Sequence, residues 1–278
     1  MNPNAGRDDR VLATTRWTAG VVALVLIAAG IILYLFPTDT GRLFAWRVNP
    51  PMTALAMGAG YLAGATFFVR VWTSSRWHEV ALAFVAATVL TTLLLVATIL
   101  HWENFSHGHV SLWTWTVVYL LAPVVLPVLW WRNRRHDPGA GVSTTRVPTN
   151  VRRLAGAVGV VQVGAALAFF VVPGLATGWW PWDLSPLTTR TVSAFMAFVG
   201  VVWLAFLFEP RWSALRLHVE SATIGLVLVG VGLLRAPDDL TGSGLAVALV
   251  VGVLVAVVAA AVGLLVAMDR APAGELTW

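Results

Sequence analysis

The sequence contains no cysteine and no lysine. Without cysteine there can be no disulfide, thiolate metal site, iron–sulfur cluster or cysteine nucleophile. Without lysine there is no Schiff-base chemistry and no phosphate-loop lysine, so every fixed cation is an arginine. Charge is scarce too: 11% of the 278 residues are charged and 58% are hydrophobic, whereas soluble domains carry roughly 25% charge. Also missing are a glycine-rich phosphate loop, a G-x-S-x-G elbow and an H-E-x-x-H pair, so no familiar catalytic motif points to a reaction. A lysine-free chain rich in Ala, Val, Gly and Leu is what GC-rich bacterial codon usage produces.

What is present is a series of apolar runs of bilayer length, over 18–36, 52–72, 80–100, 110–131, 154–172, 192–208, 219–234 and 245–268. The first is read as an uncleaved span, because the apolar run continues past Ala28-Ala29-Gly30 where a signal peptide would be cut. The sixth and seventh are short and must borrow flanking residues. The predicted fold is therefore an all-α polytopic membrane protein with about eight transmembrane helices. Arginine placement orients it. With the N-terminus inside, Arg7, Arg10, Arg16, Arg70, Arg76, Arg211, Arg216, Arg270 and the arginines of 132–153 lie on one side, leaving Arg42, Arg47, Arg190 and Arg235 on the other. Positive charge is retained in the cytoplasm, so both termini are assigned there, in a bacterial inner membrane. The net charge of +5 then meets the anionic cytoplasmic leaflet rather than nucleic acid.

The two halves resemble each other. Arg16-Trp17-Thr18-Ala19-Gly20 aligns with Arg152-Arg153-Leu154-Ala155-Gly156, Pro37 with Pro173, FAWRVNPPMT at 44–53 with WPWDLSPLT at 180–188, and Arg76-Trp77 with Arg211-Trp212. Further on, Thr88 aligns with Thr223 and Glu103 with Asp238. This order predicts a tandem duplication, with a four-helix repeat over 1–131, a basic cytoplasmic linker over 132–153 and a second repeat over 154–278. An even number of helices per repeat makes the copies parallel about an axis along the membrane normal. Gly58, Gly60 and Gly64, and Gly225, Gly230 and Gly232, are expected to close helix contacts within each half. Pro123 and Pro127 predict a bend in the fourth span.

The bilayer middle carries little polarity. Gln162 is expected to anchor one helix to another, and Arg70, His218 and Glu220 to reach the cytoplasmic interface by snorkelling. His78 and His136, in polar connections, are expected to be solvated. That emptiness argues against a proton relay or voltage sensor. The outer connections are richer. Glu103, Asp238 and Asp183 are the candidate catalytic carboxylates, Trp46, Trp182, Arg42, Arg190 and Trp115 the candidate ligand contacts. His101, Glu103, His107 and His109 form an H-x-E-x-x-x-H-x-H set whose donors suit a divalent metal, although the spacing matches no established site; otherwise no cofactor is implied. The expected function is binding or carrying an amphipathic, lipid-like molecule at the outer face between pseudo-symmetric halves, without enzymatic activity. The alternatives are a non-catalytic subunit of a homo- or hetero-oligomeric membrane assembly, and a membrane enzyme using the outer carboxylates on a lipid or isoprenoid.

Overall fold

The computed structural model describes residues 7–139, 144–176 and 179–271. It is all-helical, with no strand among those residues. Eight of the helices are long and apolar enough to cross a membrane. These are α1 (Ala13–Leu35), α3 (Pro51–Thr73), α4 (Ala81–Leu100), α5 (Val110–Asn133), α6 (Thr149–Val171), α7 (Pro186–Ala205), α8 (Trp212–Arg235) and α9 (Gly244–Arg270), with the single turn α2 (Thr40–Leu43) between the first two spans. Consecutive spans run in opposite senses. Both the segment preceding α1 and the α5–α6 connection therefore lie at one end, called here the basic end, and the tryptophan loops lie at the other.

Local chemistry sets the helix starts. Pro51 and Pro186 occupy first-turn positions, where a missing N–H costs nothing. The Ser185 and Ser243 hydroxyls accept hydrogen bonds from the N–H groups of Thr188 and Ala246. The sixth and seventh spans begin earlier than their apolar runs. Thr189, Thr191 and Ser193 donate their hydroxyls to the carbonyls of Ser185, Leu187 and Thr189, so the polar first turns of α7 are satisfied inside the helix and bury. Thr88, Thr91, Thr92 and Thr223 donate to carbonyls four residues back in the same way, and so line no polar path. Pro123 and Pro127 both lie inside a continuous α5.

The packing interleaves the halves. Helix α1 packs on α3 and α6 on α7, while α4 packs on α5 and α8 on α9. The remaining broad contacts cross from one half to the other, α3 against α8 and α4 against α7. The glycines serve both kinds of contact, within halves and between them. A Cβ on Gly60 would meet the Phe195 ring of α7 at 2.7 Å, and one on Gly225 the Cβ of Ala63 on α3 at 3.0 Å. Gly58 and Gly64 instead face Tyr34 and Leu26 of α1. Gln162 ties α6 to α7, its Nε2 donating to the Met196 carbonyl at 3.0 Å.

Both ends carry matched backbone hydrogen bonds. At the basic end the Val11 N–H donates to Ser75 and the Trp77 N–H to Asp9; correspondingly Val147 donates to Pro210 and Trp212 to Thr145. Arg16 Nε donates to the Trp72 carbonyl, and Arg152 to the carbonyls of Phe206 and Leu207. At the tryptophan end, Ser106 donates to Ala45 and Gly242 to Pro181.

Candidate functional site

At the tryptophan end, the predicted carboxylates do not form a site. Glu103, Asp183 and Asp238 are exposed, and none takes a side-chain hydrogen bond or ion pair among the described residues. The carboxylate used there is Asp239, whose Oδ2 accepts from the Met52 N–H at 2.6 Å and caps the positive end of α3. Arg235 donates to the Tyr34 carbonyl at the end of α1 and stacks on the Tyr34 ring, instead of pairing with an acid.

The metal set does not close either. Among the described residues no group of three or more His, Cys, Asp or Glu is placed to hold an ion. His101 turns to Arg190, whose Nη1 donates to His101 Nε2 at 2.7 Å. Burial, and then the Arg190 charge, hold the His101 imidazole below its ordinary pKa. His107 packs edge-on against Trp102, and Glu103 faces outward. Sequence spacing brings these donors near one another, but each has a different neighbour.

Of the predicted ligand contacts, Trp46 and Trp115 meet with ring centroids 4.9 Å apart in a buried cluster with Phe44 and Phe105. Trp182 lies in a separate cluster with Tyr34, Met52 and Leu55, its Nε1 donating to Thr53 Oγ1 at 2.9 Å. Arg42 is exposed and Arg190 is turned to His101. The tryptophans therefore act as core rings that join the spans. Trp182→Phe is expected to remove that hydrogen bond and leave a void in the cluster, lowering stability by about 2–3 kcal/mol, measurable as thermal unfolding in mild detergent.

The basic end holds groups that sequence reading treated as solvated. His78 is buried, and its Nδ1 lies 2.6 Å from Asp9 Oδ2. Because the carboxylate accepts there, Nδ1 carries a proton, and in the neutral imidazole Nε2 accepts from the Ser213 hydroxyl 3.0 Å away. The His78 N–H also donates to Asp9 Oδ1, so both carboxylate oxygens are held. Asp9 adopts a left-handed φ of 52°, a conformation Asp tolerates better than most residues. It is fixed there because its N–H donates to His136 and its carbonyl accepts from Trp77. His136 pairs with Asp8 at 2.6 Å, and that hydrogen bond holds the Asp8 carboxyl below its ordinary pKa. The similarity of Arg76-Trp77 to Arg211-Trp212 is the sequence signal here, since the next residues after these pairs are His78 and Ser213.

Ser213 opens on a cleft of about 370 Å³ lined also by Arg70, Ser74, Arg76, Glu79 and Arg216. A second cleft, of about 500 Å³, lies along α1, α3 and α8, and Arg70 and Leu217 line both. Its walls are apolar, with Ile27, Leu62, Val69, Ile224 and Leu228, apart from Glu220 and a few small polar residues near the same end. Arg216 is already engaged, with Glu220 at 2.8 Å and Asp269 at 2.9 Å, and Arg76 approaches Glu79 at 3.7 Å. Among the described residues Arg70 has neither an ion-pair nor a side-chain hydrogen-bond partner. His218, one residue from the cleft wall, is buried against Phe67 with neither ring nitrogen hydrogen-bonded; it does not snorkel. Comparison with protein-family models, with curated proteins and with solved structures finds no match to the chain.

Proposed function

We propose that this chain is a tandem parallel duplication with both termini in the cytoplasm, and that it binds an anionic, lipid-like amphiphile across the two neighbouring clefts between α3 and α8. The observation that carries the reading is that Arg70 and Leu217 line both a charged cleft and an apolar one. An amphiphile has the same division. Its anionic head meets Arg70 and Arg76, and its chain lies along Val69, Leu62, Ile224 and Leu228. From Arg70 to Leu62 the wall is eight residues of helix, about 12 Å at 1.5 Å per residue, enough for part of an acyl chain.

The expected place of binding moves from the outer face to the cytoplasmic interface, while the idea of a site between the halves is retained: α3 belongs to the first half and α8 to the second. Supporting the duplication are the matched hydrogen bonds at both ends and the exchange of contacts between halves, α3 with α8 and α4 with α7. Supporting the orientation is the arginine-rich end, which the positive-inside tendency places in the cytoplasm.

Native mass spectrometry of protein purified in mild detergent is expected to retain one anionic phospholipid per chain in preference to a zwitterionic one. Arg70→Gln should lower that retention at least fivefold, about 1 kcal/mol, with unfolding temperature unchanged. Equal retention of anionic and zwitterionic lipids by wild-type protein would refute the proposal.

A further inference from the structure

Ser213, His78 and Asp9 stand in the relation of nucleophile, base and orienting carboxylate, and we propose that they form an esterase or acyl-transfer centre acting on the amphiphile of the cleft. The substrate class rests on the binding reading above; the nucleophile rests on geometry alone. Three observations carry it. The hydrogen bonds run in the required order, Asp9 Oδ2 to His78 Nδ1 at 2.6 Å and His78 Nε2 to Ser213 Oγ at 3.0 Å. The imidazole is buried while Ser213 borders a cleft, so the serine is the member of the array that meets a substrate there. Arg70 and Arg76 border the same cleft and give it a positive charge that favours a developing oxyanion.

A second feature separates this array from an ordinary polar contact. Asp9 is held in a left-handed conformation by four hydrogen bonds, two to its carboxylate and two to its backbone. Residues other than glycine held in this region cluster at functional sites. Ser213 also lies in the first turn of α8, whose positive dipole end favours a developing alkoxide.

The chemistry balances with water as the only co-reactant. Ser213 Oγ attacks the ester carbonyl carbon, a C–O bond forms, and the hydroxyl proton passes to His78 Nε2 while Asp9 stabilises the imidazolium. Collapse of the tetrahedral intermediate breaks the bond to the alcohol, which leaves with the proton from His78. Water then attacks the acyl-serine, gives its proton to His78 and releases the carboxylic acid, and Ser213 recovers the proton. A second lipid alcohol in place of water gives acyl transfer by the same steps.

The test treats the full chain, in mild detergent and in liposomes containing anionic phospholipid, with an alkyl fluorophosphonate, and locates the adduct by peptide mass spectrometry. The expected result is an adduct on Ser213, absent from Ser213→Ala and formed at least 100-fold more slowly in His78→Gln. Asp9→Asn should slow it as well, and should alter the rise of labelling rate with pH, which a purely structural carboxylate would leave unchanged. Wild-type protein that retains its anionic lipid but forms no adduct on Ser213 would overturn the nucleophile and leave the binding reading intact. An adduct on protein that shows no lipid preference would support the nucleophile and count against the binding reading. Labelling at equal rates in wild type and His78→Gln would overturn the role of His78 as base.

Discussion

Gly159→Ala should lower the stability of the chain by about 3 kcal/mol, at the upper end of what overpacking costs. The position lies where α6 crosses α7. A Cβ there would run into the Leu204 backbone nitrogen and stand 2.8 Å from the Gly200 carbonyl oxygen and 2.9 Å from the Leu204 Cα. These are main-chain atoms in the last turns of α7, so no side chain can rotate away. Relief requires the helices to separate, and the separation would also stretch the Gln162 hydrogen bond to Met196. The approach is reciprocal, since a Cβ on Gly200 would meet the Val163 nitrogen at 3.1 Å. Small residues let backbones approach in this way, and dispersion at close range is most of what holds helices together in lipid. Gly164, on the same helix, has nothing within 4 Å of the place an added methyl group would occupy. Gly164→Ala should therefore be neutral or slightly stabilising, through helix propensity. Thermal unfolding in one detergent separates the two. A loss of roughly 6–12 °C for the first variant and none for the second is expected, and equal behaviour would refute the account of the contact.

Some of this molecule was legible in its sequence because the bilayer makes simple demands. Eight apolar runs became eight spans, since a helix in lipid must satisfy its own backbone. The starts of α7 and α8 were not legible from hydropathy. Thr189, Thr191 and Ser193 read as polar until their hydroxyls are seen bonded within the helix, and Arg216 reads as a boundary until Glu220 and Asp269 are beside it. The histidines were harder. Local composition put His78 in a solvated connection, but its partners are Asp9, 69 positions away, and Ser213, 135 positions away. Only the internal alignment, applied to function instead of fold, would have put His78 and Ser213 together. Acids are few, so the carboxylates of the tryptophan end stand out in the sequence; the charges that gather around Arg70 come from α3, α8 and the α3–α4 connection, and only tertiary packing makes them a cleft.

The second large effect concerns Arg211. Its guanidinium donates to Glu209 at 2.6 Å and to Asp137 at 2.9 Å, and it also reaches the Gly139 carbonyl. This joins the α5–α6 connection, expected to be a basic cytoplasmic linker, to the start of α8. Burial alone would raise the Asp137 carboxyl, but the hydrogen bonds from Arg211 and the Gly139 N–H outweigh it and hold the group below its ordinary pKa. Burial likewise works against the charged Arg211, and its two acids reverse that and raise its pKa. Arg211→Leu leaves two part-buried carboxylates unpaired. Removing one partner of a fully buried pair costs about 3–5 kcal/mol; residual water access to both acids reduces this to roughly 2–3 kcal/mol at neutral pH. The corresponding Arg76 is an exposed arginine 3.7 Å from Glu79, so Arg76→Leu should change stability by no more than about 0.5 kcal/mol. The pH dependence gives an independent check. A depressed carboxyl contributes fully above its unfolded value of about 3.9 and loses that contribution as pH falls through the folded value. In Arg211→Leu the same carboxyl, buried without its cation, is raised, so its cost at neutral pH is relieved as pH falls through that raised value. The stability gap between wild type and Arg211→Leu should thus narrow steadily from pH 7 towards pH 4. A gap that stayed constant across that range would mean that Arg211 stabilises the chain by packing rather than by charge.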